Sequence, residues 1–257
     1  MGLVVFNQKG GVGKSTITCN LAAVSAQQGQ KTLVVDLDLQ GNSTRYLLGD
    51  AADDAGEGIA GYFAQTLKFV MRPKGIADFV VETPWENLHV LPPGEDLEDL
   101  HGKLESRGKI YKLREALAEL ARDYDRIYVD TPPALNFYTR SALIAAEGCV
   151  IPFDCDDFSR HALYLLLDNV KEIQADHNRG LQVKGIVVNQ FQPRATLPQR
   201  LVRELIDEGL PVLGTYLSSS VRVKESHELA RPMIYLDARH KLTQEFVALH
   251  DELHGTA

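Results

Sequence analysis

A glycine-rich run from Lys9 to Thr16, KGGVGKST, constrains this chain more than any other feature. It follows a short apolar run, Leu3 to Phe6, and opens a helical pattern from about Ser15 to Gln28. Glycines at 10, 11 and 13 let the backbone curl around Val12 so that successive N–H groups face one anion, and the N-terminus of the following helix adds its dipole. Lys14 would then neutralise charge on the β- and γ-phosphates of a nucleotide, and the Ser15 hydroxyl would hold Mg²⁺. The general pattern GxxxxGK[ST] asks for glycine at position 8, where this chain has Gln8. A chance glycine turn is the bland alternative, and it is disfavoured by the strand before the loop and the helix after it. Lys9 is the informative departure. A side chain that long at the start of the loop folds back poorly over its own phosphates, which points it toward a partner subunit.

Two acidic motifs complete the pattern. Asp36 and Asp38 end a second buried strand, Thr32 to Val35, in VVDLDLQGNST. Carboxylates at i and i+2 on a strand end can both approach the phosphate edge, Asp36 near the metal and Asp38 near the attacking water. Asn42, Ser43 and Thr44 read as caps of the next helix, a role sufficient for Ser43. In IYVDTPPAL, Asp130 ends another apolar strand, where a carboxylate can bind a water of the Mg²⁺ shell. The Thr131–Pro132–Pro133 loop behind it is stiff, which suits a segment that reports on the γ-phosphate.

Further buried-strand candidates are Leu88 to Leu91, Ile127 to Val129, Cys149 to Pro152 and Val183 to Val188, with helices expected over 107–123, 138–146, 158–175, 196–208 and 241–253. Short Val- and Ile-rich strands alternating with helices predict an α/β fold, a mostly parallel twisted sheet flanked by helices on both faces. One domain over residues 1–257 accounts for the chain. The less regular stretch 50–86 is expected as a surface elaboration, with a short helix at YFAQTLKFV.

Composition excludes several classes. The net charge of −8 rules out a basic protein that coats nucleic acid, though not a local basic patch. Cys19, Cys149 and Cys155 are too few for a disulfide scaffold and show no zinc spacing. No stretch reaches 18 apolar residues, and the N-terminus lacks a basic leader. The expected compartment is the cytosol. Gly2 invites myristoylation, but the strand that starts at once argues against it.

Together the three motifs resemble the ParA/MinD branch of P-loop ATPases, which carries a deviant Walker A box. The resemblance covers nearly the whole chain and is closest to the ParA (Soj-like) partition ATPases, whose second motif reads DLDPQGNAT where this chain has DLDLQGNST. PFDCDDFSRHAL (152–163) and SSSVRVKESHELARPMIYLD near the end are similar to further family segments. The resemblance implies ATP and Mg²⁺ as cofactors and an ATP-sandwich homodimer in which Lys9 reaches the other subunit's phosphates. It implies that Gly10, Gly11, Val12, Gly13, Lys14 and Ser15 bind phosphate and metal, and that Thr16 contacts the α-phosphate. Asp38 is matched to the residue that positions the hydrolytic water, Asp130 to the Walker B carboxylate, and Asn189 to a position at the adenine ring. An Asn at a strand end is otherwise a turn former. Weak ATPase activity, nonspecific binding of double-stranded DNA by the dimer, stimulation by a ParB-like or other cargo adaptor, and association with the nucleoid follow by the same resemblance.

The charge pattern is compatible with such a DNA contact. Residues 181–241 carry nine Lys and Arg against six acidic residues, a local balance of +3, while the remainder of the chain is −11. Arg194, Arg222 and Lys224 are the DNA-contact candidates, a solvated face being the bland reading. SSSV stands where the family usually carries IPRN-like text, so the usual arginine is absent or shifted.

Other relatives fit less well. An iron protein of the nitrogenase type needs cluster-holding cysteines beside the Asp130 loop. Attachment to a membrane, as in MinD, needs a basic amphipathic C-terminal helix, and this chain ends QEFVALHDELHGTA. Tyrosine kinases of this branch carry a tyrosine cluster at the tail, and an amidoligase or synthetase needs a substrate pocket that the sequence does not display. The phosphate loop begins at residue 9, so the N-terminal operator-binding extension of larger plasmid proteins is not expected. Two cargo readings remain: plasmid or chromosomal DNA, or a protein assembly such as a chemoreceptor cluster or microcompartment. A nonenzymatic nucleotide-gated scaffold is a third, which the intact Asp38 opposes.

Overall fold

The computed structural model describes residues 2–155 and 159–255. Seven strands form one sheet, ordered β3-β4-β2-β5-β1-β6-β7. They are β1 (Gly2–Val5), β2 (Thr32–Asp36), β3 (Val81–Glu82), β4 (Leu88–Leu91), β5 (Arg126–Asp130), β6 (Gly148–Asp154) and β7 (Gln182–Asn189). Every pairing is parallel except that of β3 with β4. A parallel strand buried on both faces needs apolar side chains on both, which is why VVF, LVV and CVI read as unbroken apolar runs.

Alternation sends successive residues to opposite faces. Val4, Phe6, Leu33 and Val35 join one core layer, while Leu3, Val5 and Val34 join the other. Helices α1 (Lys14–Gln27), α2 (Asn42–Leu48), α3 (Gly58–Thr66), α4 (Leu97–Ser106), α5 (Lys112–Leu120), α6 (Phe137–Ala145), α7 (Ser159–Asp176), α8 (Thr196–Asp207), α9 (Arg222–Glu228), α10 (Met233–Leu236) and α11 (Lys241–His254) surround the sheet. The doubly covered α/β expectation is met. The first position of the helix expected over 158–175, and residues 156–158 of the family-like segment 152–163, lie outside the described residues.

Two local expectations are corrected. The helix expected over 107–123 is confined to α5, Lys112–Leu120, and a separate helix, α4, lies just before it. Leu97, Leu100 and Leu104 give α4 its own buried stripe, and Gly108, at φ +64°, ends it with a hydrogen bond from its N–H to the Glu105 carbonyl at 3.0 Å. The helix in the 50–86 stretch begins earlier than expected, at Gly58. Backbone lies directly against backbone there: a Cβ at Gly94 would sit 2.1 Å from the Glu57 carbonyl oxygen, and one at Gly58 would sit 2.2 Å from that of Pro92. The Ile59 N–H donates to Pro92 O at 2.8 Å, and the Ala60 N–H to Pro93 O at 3.0 Å. This docking buries Ile59, Phe63, Ile76 and Phe79 in the main core, and β3 extends the sheet. Within the same stretch Phe69 and Met71 remain exposed.

Candidate active site

The phosphate loop joins β1 to α1. Gly11 (φ +76°) and Gly13 (φ +86°) occupy the left-handed region that the curl requires. A Cβ at Gly13 would meet Asn189 Nδ2 at 2.4 Å, so the glycine is needed for space as well as for dihedral angle. The loop is held from outside. Asn7 donates from Nδ2 to Pro152 O at 2.7 Å and accepts the Lys9 N–H at 2.8 Å, while Asn189 Nδ2 donates to Val12 O at 2.9 Å. Asn189, expected at an adenine ring, therefore touches the loop itself.

Strand register assembles the acidic groups. Asp36 and Asp130 are direct partners on the neighbouring strands β2 and β5, and Val5, the last residue of β1, pairs with Asp130 on its other side. Both carboxylates are fully buried. Burial raises the pKa of each. The charge of Asp130 adds to the rise at Asp36, whereas the Ser15 and Ser43 hydroxyls and the Lys14 ammonium oppose it at Asp130.

Asp36, expected beside the metal, is instead enclosed. Its Oδ2 accepts the Thr44 N–H at 2.9 Å and the Thr44 hydroxyl at 2.8 Å, and its Oδ1 accepts the Asp38 N–H at 3.1 Å. It fixes the start of α2 and the backbone of Asp38. The capping roles expected for Asn42, Ser43 and Thr44 are likewise corrected, because Gly41 occupies the N-cap with no side-chain cap. Ser43 instead donates to Asp130 Oδ2 at 2.8 Å. The sequence signal for this was available only as position: both hydroxyls follow Asp36 across a glycine turn.

A cavity of about 350 Å³ opens over the loop, lined by Lys14, Ser15, Thr16, Asp38, Pro133 and His227 among others. Lys14 is nearly buried, and its Nζ donates to Lys9 O at 3.1 Å. Desolvation lowers its pKa, and the charges of Asp130 and Asp38 work against that. Asp38, largely buried, turns its Oδ1 to the Gln40 N–H at 3.1 Å. Thr131 is buried and donates from Oγ1 to Val5 O at 2.9 Å, so it braces the loop from below while Pro133 faces the cavity.

These residues fit a magnesium nucleotide. Asp130 Oδ1 is buried and accepts no hydrogen bond. The loop offers its N–H groups and one buried lysine to an anion. No group of three or more His, Cys, Asp or Glu that could cage a metal occurs among the described residues. Ser15 and Asp130 would form the protein side of a bound Mg²⁺, phosphate and water supplying its other ligands. When bound, Mg²⁺ would offset phosphate charge.

A family model described as an AAA domain matches residues 2–183. The chain is 34% identical over 257 residues to the chromosome-partitioning ATPase Soj of Treponema pallidum, spanning 96% of both. It belongs to the ParA/MinD/Soj superfamily of deviant Walker A P-loop ATPases. Its structure is also similar to cobyrinic acid a,c-diamide synthase from Mycobacterium smegmatis with bound ATP analogue and magnesium (TM-score 0.83, 26% identity, 97% and 92% of the two chains). The likeness to the Cyanothece McdA(D38A)–ATP complex (TM-score 0.86, 19% identity, 100% and 96% covered) is one of fold. This superfamily member is an ATPase, and ATP and Mg²⁺ are its cofactors.

Lys9 and the basic candidates take less expected places in this ATPase. Lys9 Nζ pairs with Asp154 Oδ2 of its own chain at 3.1 Å instead of pointing away from it. Arg194 is exposed and shares a cavity of about 480 Å³ with Ser218, Ser219 and Ser220. The Arg222 N–H donates to Ser220 Oγ at 3.1 Å, so Arg194 and Arg222 flank one loop, with Lys224 exposed on α9. Arg222 is ion-paired with Glu225, which offsets part of the positive charge there. No helix among the described residues is long and apolar enough to cross a membrane.

Proposed function

We propose that this ATPase positions a macromolecular cargo by cycling between nucleotide states: two copies close around ATP, Lys9 leaves Asp154 for the partner's phosphates, and Asp38 orients the water whose attack ends the cycle. The carrying observation is that Lys14, Ser15 and Asp38 line one cavity over the phosphate loop, with the Asp130 carboxylate buried close to Lys14. An intact set supports turnover and opposes a nonenzymatic scaffold.

The cargo we propose is a protein assembly, engaged through an adaptor. Phe69 and Met71 support this reading, being strongly exposed on a stretch otherwise docked into the core. So does the Arg222–Glu225 pair, which lowers the charge available to DNA. Segregation of DNA with a ParB-like partner is the second reading. It is supported by the sequence likeness to chromosome-partitioning Soj and by the juxtaposition of Arg194 and Arg222 across the 218–220 loop.

The test is binding to nonspecific duplex DNA without nucleotide, with ADP, with ATP and with a slowly hydrolysed analogue, at two salt concentrations. Salt-sensitive binding in the triphosphate states alone would establish DNA as the surface on which either cargo is moved. No binding by ATP-driven dimers would remove the partition reading. Failure to form dimers with ATP would overturn the positioning cycle itself.

A further inference from the structure

His227 lies 211 positions from Thr16 in sequence and beside it in the fold: the imidazole Nε2 is 2.9 Å from Thr16 Oγ1. The ring is fixed on its flat side as well. It stacks on Tyr46 with centroids 3.8 Å apart and planes 18° from parallel. The Tyr46 hydroxyl bonds to Ser226, the neighbour of His227, and accepts from Asn20 Nδ2 at 3.2 Å. Asn20 also donates to Thr16 O at 2.8 Å and accepts the Met233 N–H at 2.8 Å. Thr16, Asn20, Tyr46, Ser226 and His227 thus form one connected cluster, and its edge at Thr16 and His227 faces the phosphate cavity.

We infer that His227 is a nucleotide-positioning residue, donating from Nε2–H to Thr16 Oγ1 so that the Thr16 hydroxyl proton is left to point at a phosphate oxygen. A threonine hydroxyl has one proton and two acceptor sites. If His227 accepted that proton, the hydroxyl could offer phosphate only lone pairs, which repel an anion. With the proton on Nε2, the same contact forms a directed relay from imidazole to hydroxyl to phosphate. Burial lowers the pKa of His227, so the neutral ring is the species that plays this part at pH 7. The relay also ties α9, which carries Arg222 and Lys224, to occupancy of the cavity.

The inference rests on the ATP site described above and on a phosphate contact by Thr16. Its test is a double-mutant cycle on the full chain, read by affinity for a fluorescent ATP analogue with Mg²⁺ and by steady-state hydrolysis. His227→Phe keeps an aromatic ring on Tyr46 and removes the N–H, whereas His227→Gln keeps an N–H donor. His227→Phe should weaken nucleotide binding ~5–10-fold, as loss of one buried hydrogen bond does, with KM for ATP rising more than kcat falls. His227→Gln should recover most of that loss. In a Thr16→Ala background, His227→Phe should add less than about twofold. Wild-type affinity in His227→Phe would overturn the assignment, and so would an equal loss with and without Thr16. If His227→Phe does not fold, a His227→Gln protein that loses as much affinity as Thr16→Ala overturns it as well. Failure of the wild-type chain to bind the analogue would instead reject the nucleotide site.

Discussion

Lys9 and Asp154 form an ion pair within one chain, Nζ to Oδ2 at 3.1 Å, across 145 residues of sequence. Both side chains are partly exposed, at 40% and 31%, so the pair adds at most about 1 kcal/mol to the fold. Its importance is competitive, because a lysine held here is not available to a partner's phosphates. Asp154→Asn should therefore leave stability nearly unchanged and let the ATP-bound dimer form at ~2–5-fold lower protein concentration. Lys9→Ala should impair dimerisation or turnover with the fold intact. Light scattering at several protein concentrations, with and without ATP, measures both. A dimer equally tight in Asp154→Asn and wild type would show that the pair does not compete.

Asp38→Ala should keep ATP binding and ATP-driven dimerisation and lower phosphate release by ~100-fold or more, the usual range for loss of a group that orients or deprotonates the nucleophile. Single-turnover phosphate release measures this directly. Unchanged hydrolysis would remove Asp38 from the chemistry.

Ser43→Ala tests a residue whose expected role was only capping. Its hydroxyl donates to Asp130 Oδ2 at 2.8 Å inside a fully buried site. A hydrogen bond to a buried charge is worth about 1.5–3 kcal/mol, so the Mg²⁺ concentration for half-maximal activity should rise roughly 10-fold or more. A Mg²⁺ titration of ATPase rate at fixed ATP decides it.

Phe63→Ala tests whether the 50–86 stretch is part of the core. Phe63 is fully buried and meets the rings of Phe137 and Tyr138 at centroid separations of 6.5 and 6.0 Å. Truncation should cost about 3–5 kcal/mol and lower Tm by roughly 10 °C. Calorimetry would show a change below about 1 kcal/mol if the stretch were only a surface appendage.

Stability should fall between pH 6.5 and pH 4 through a histidine cluster remote from the phosphate loop. Ser25 Oγ lies 2.8 Å from the Tyr128 hydroxyl and 2.9 Å from His250 Nε2, and the Tyr128 hydroxyl lies 2.7 Å from His254 Nε2. Burial is the main cause lowering both histidines, and His254 is brought to about 4. A folded-state pKa below the unfolded value means that the unfolded chain binds the extra proton. The stability is therefore full above about pH 6.5 and is lost as pH falls toward 4. His254 is partly exposed, so solvent screening leaves an effect on the order of 1 kcal/mol. Urea unfolding at pH 7.5, 5.5 and 4.5 should show a smaller decline in His254→Gln than in wild type.

Local interactions were legible in the linear chain. The segments Leu3–Phe6, Thr32–Val35, Leu88–Leu91 and Val183–Val188 name strands because a parallel strand covered on both faces admits little else. KGGVGKST names an anion cradle because its glycine dihedrals and helix start are set by the residues themselves. The helix expected over 107–123 is shorter, Lys112–Leu120, because Gly108, at φ +64°, closes a separate helix, α4, whose Leu97–Leu100–Leu104 stripe was not expected to be helical. What sequence could not supply was adjacency. Strand register alone makes Asp36 and Asp130 neighbours, and that crowding is why Ser43 and Thr44 turn inward instead of capping. Chain return alone brings Asp154 to Lys9 and His227 to Thr16, 145 and 211 residues apart. The sequence determined the sheet and the phosphate-binding loop through short-range sterics and burial. The tertiary structure decided which buried charges share a site and which side chains hold them, because those energies depend on distances between residues far apart in the chain.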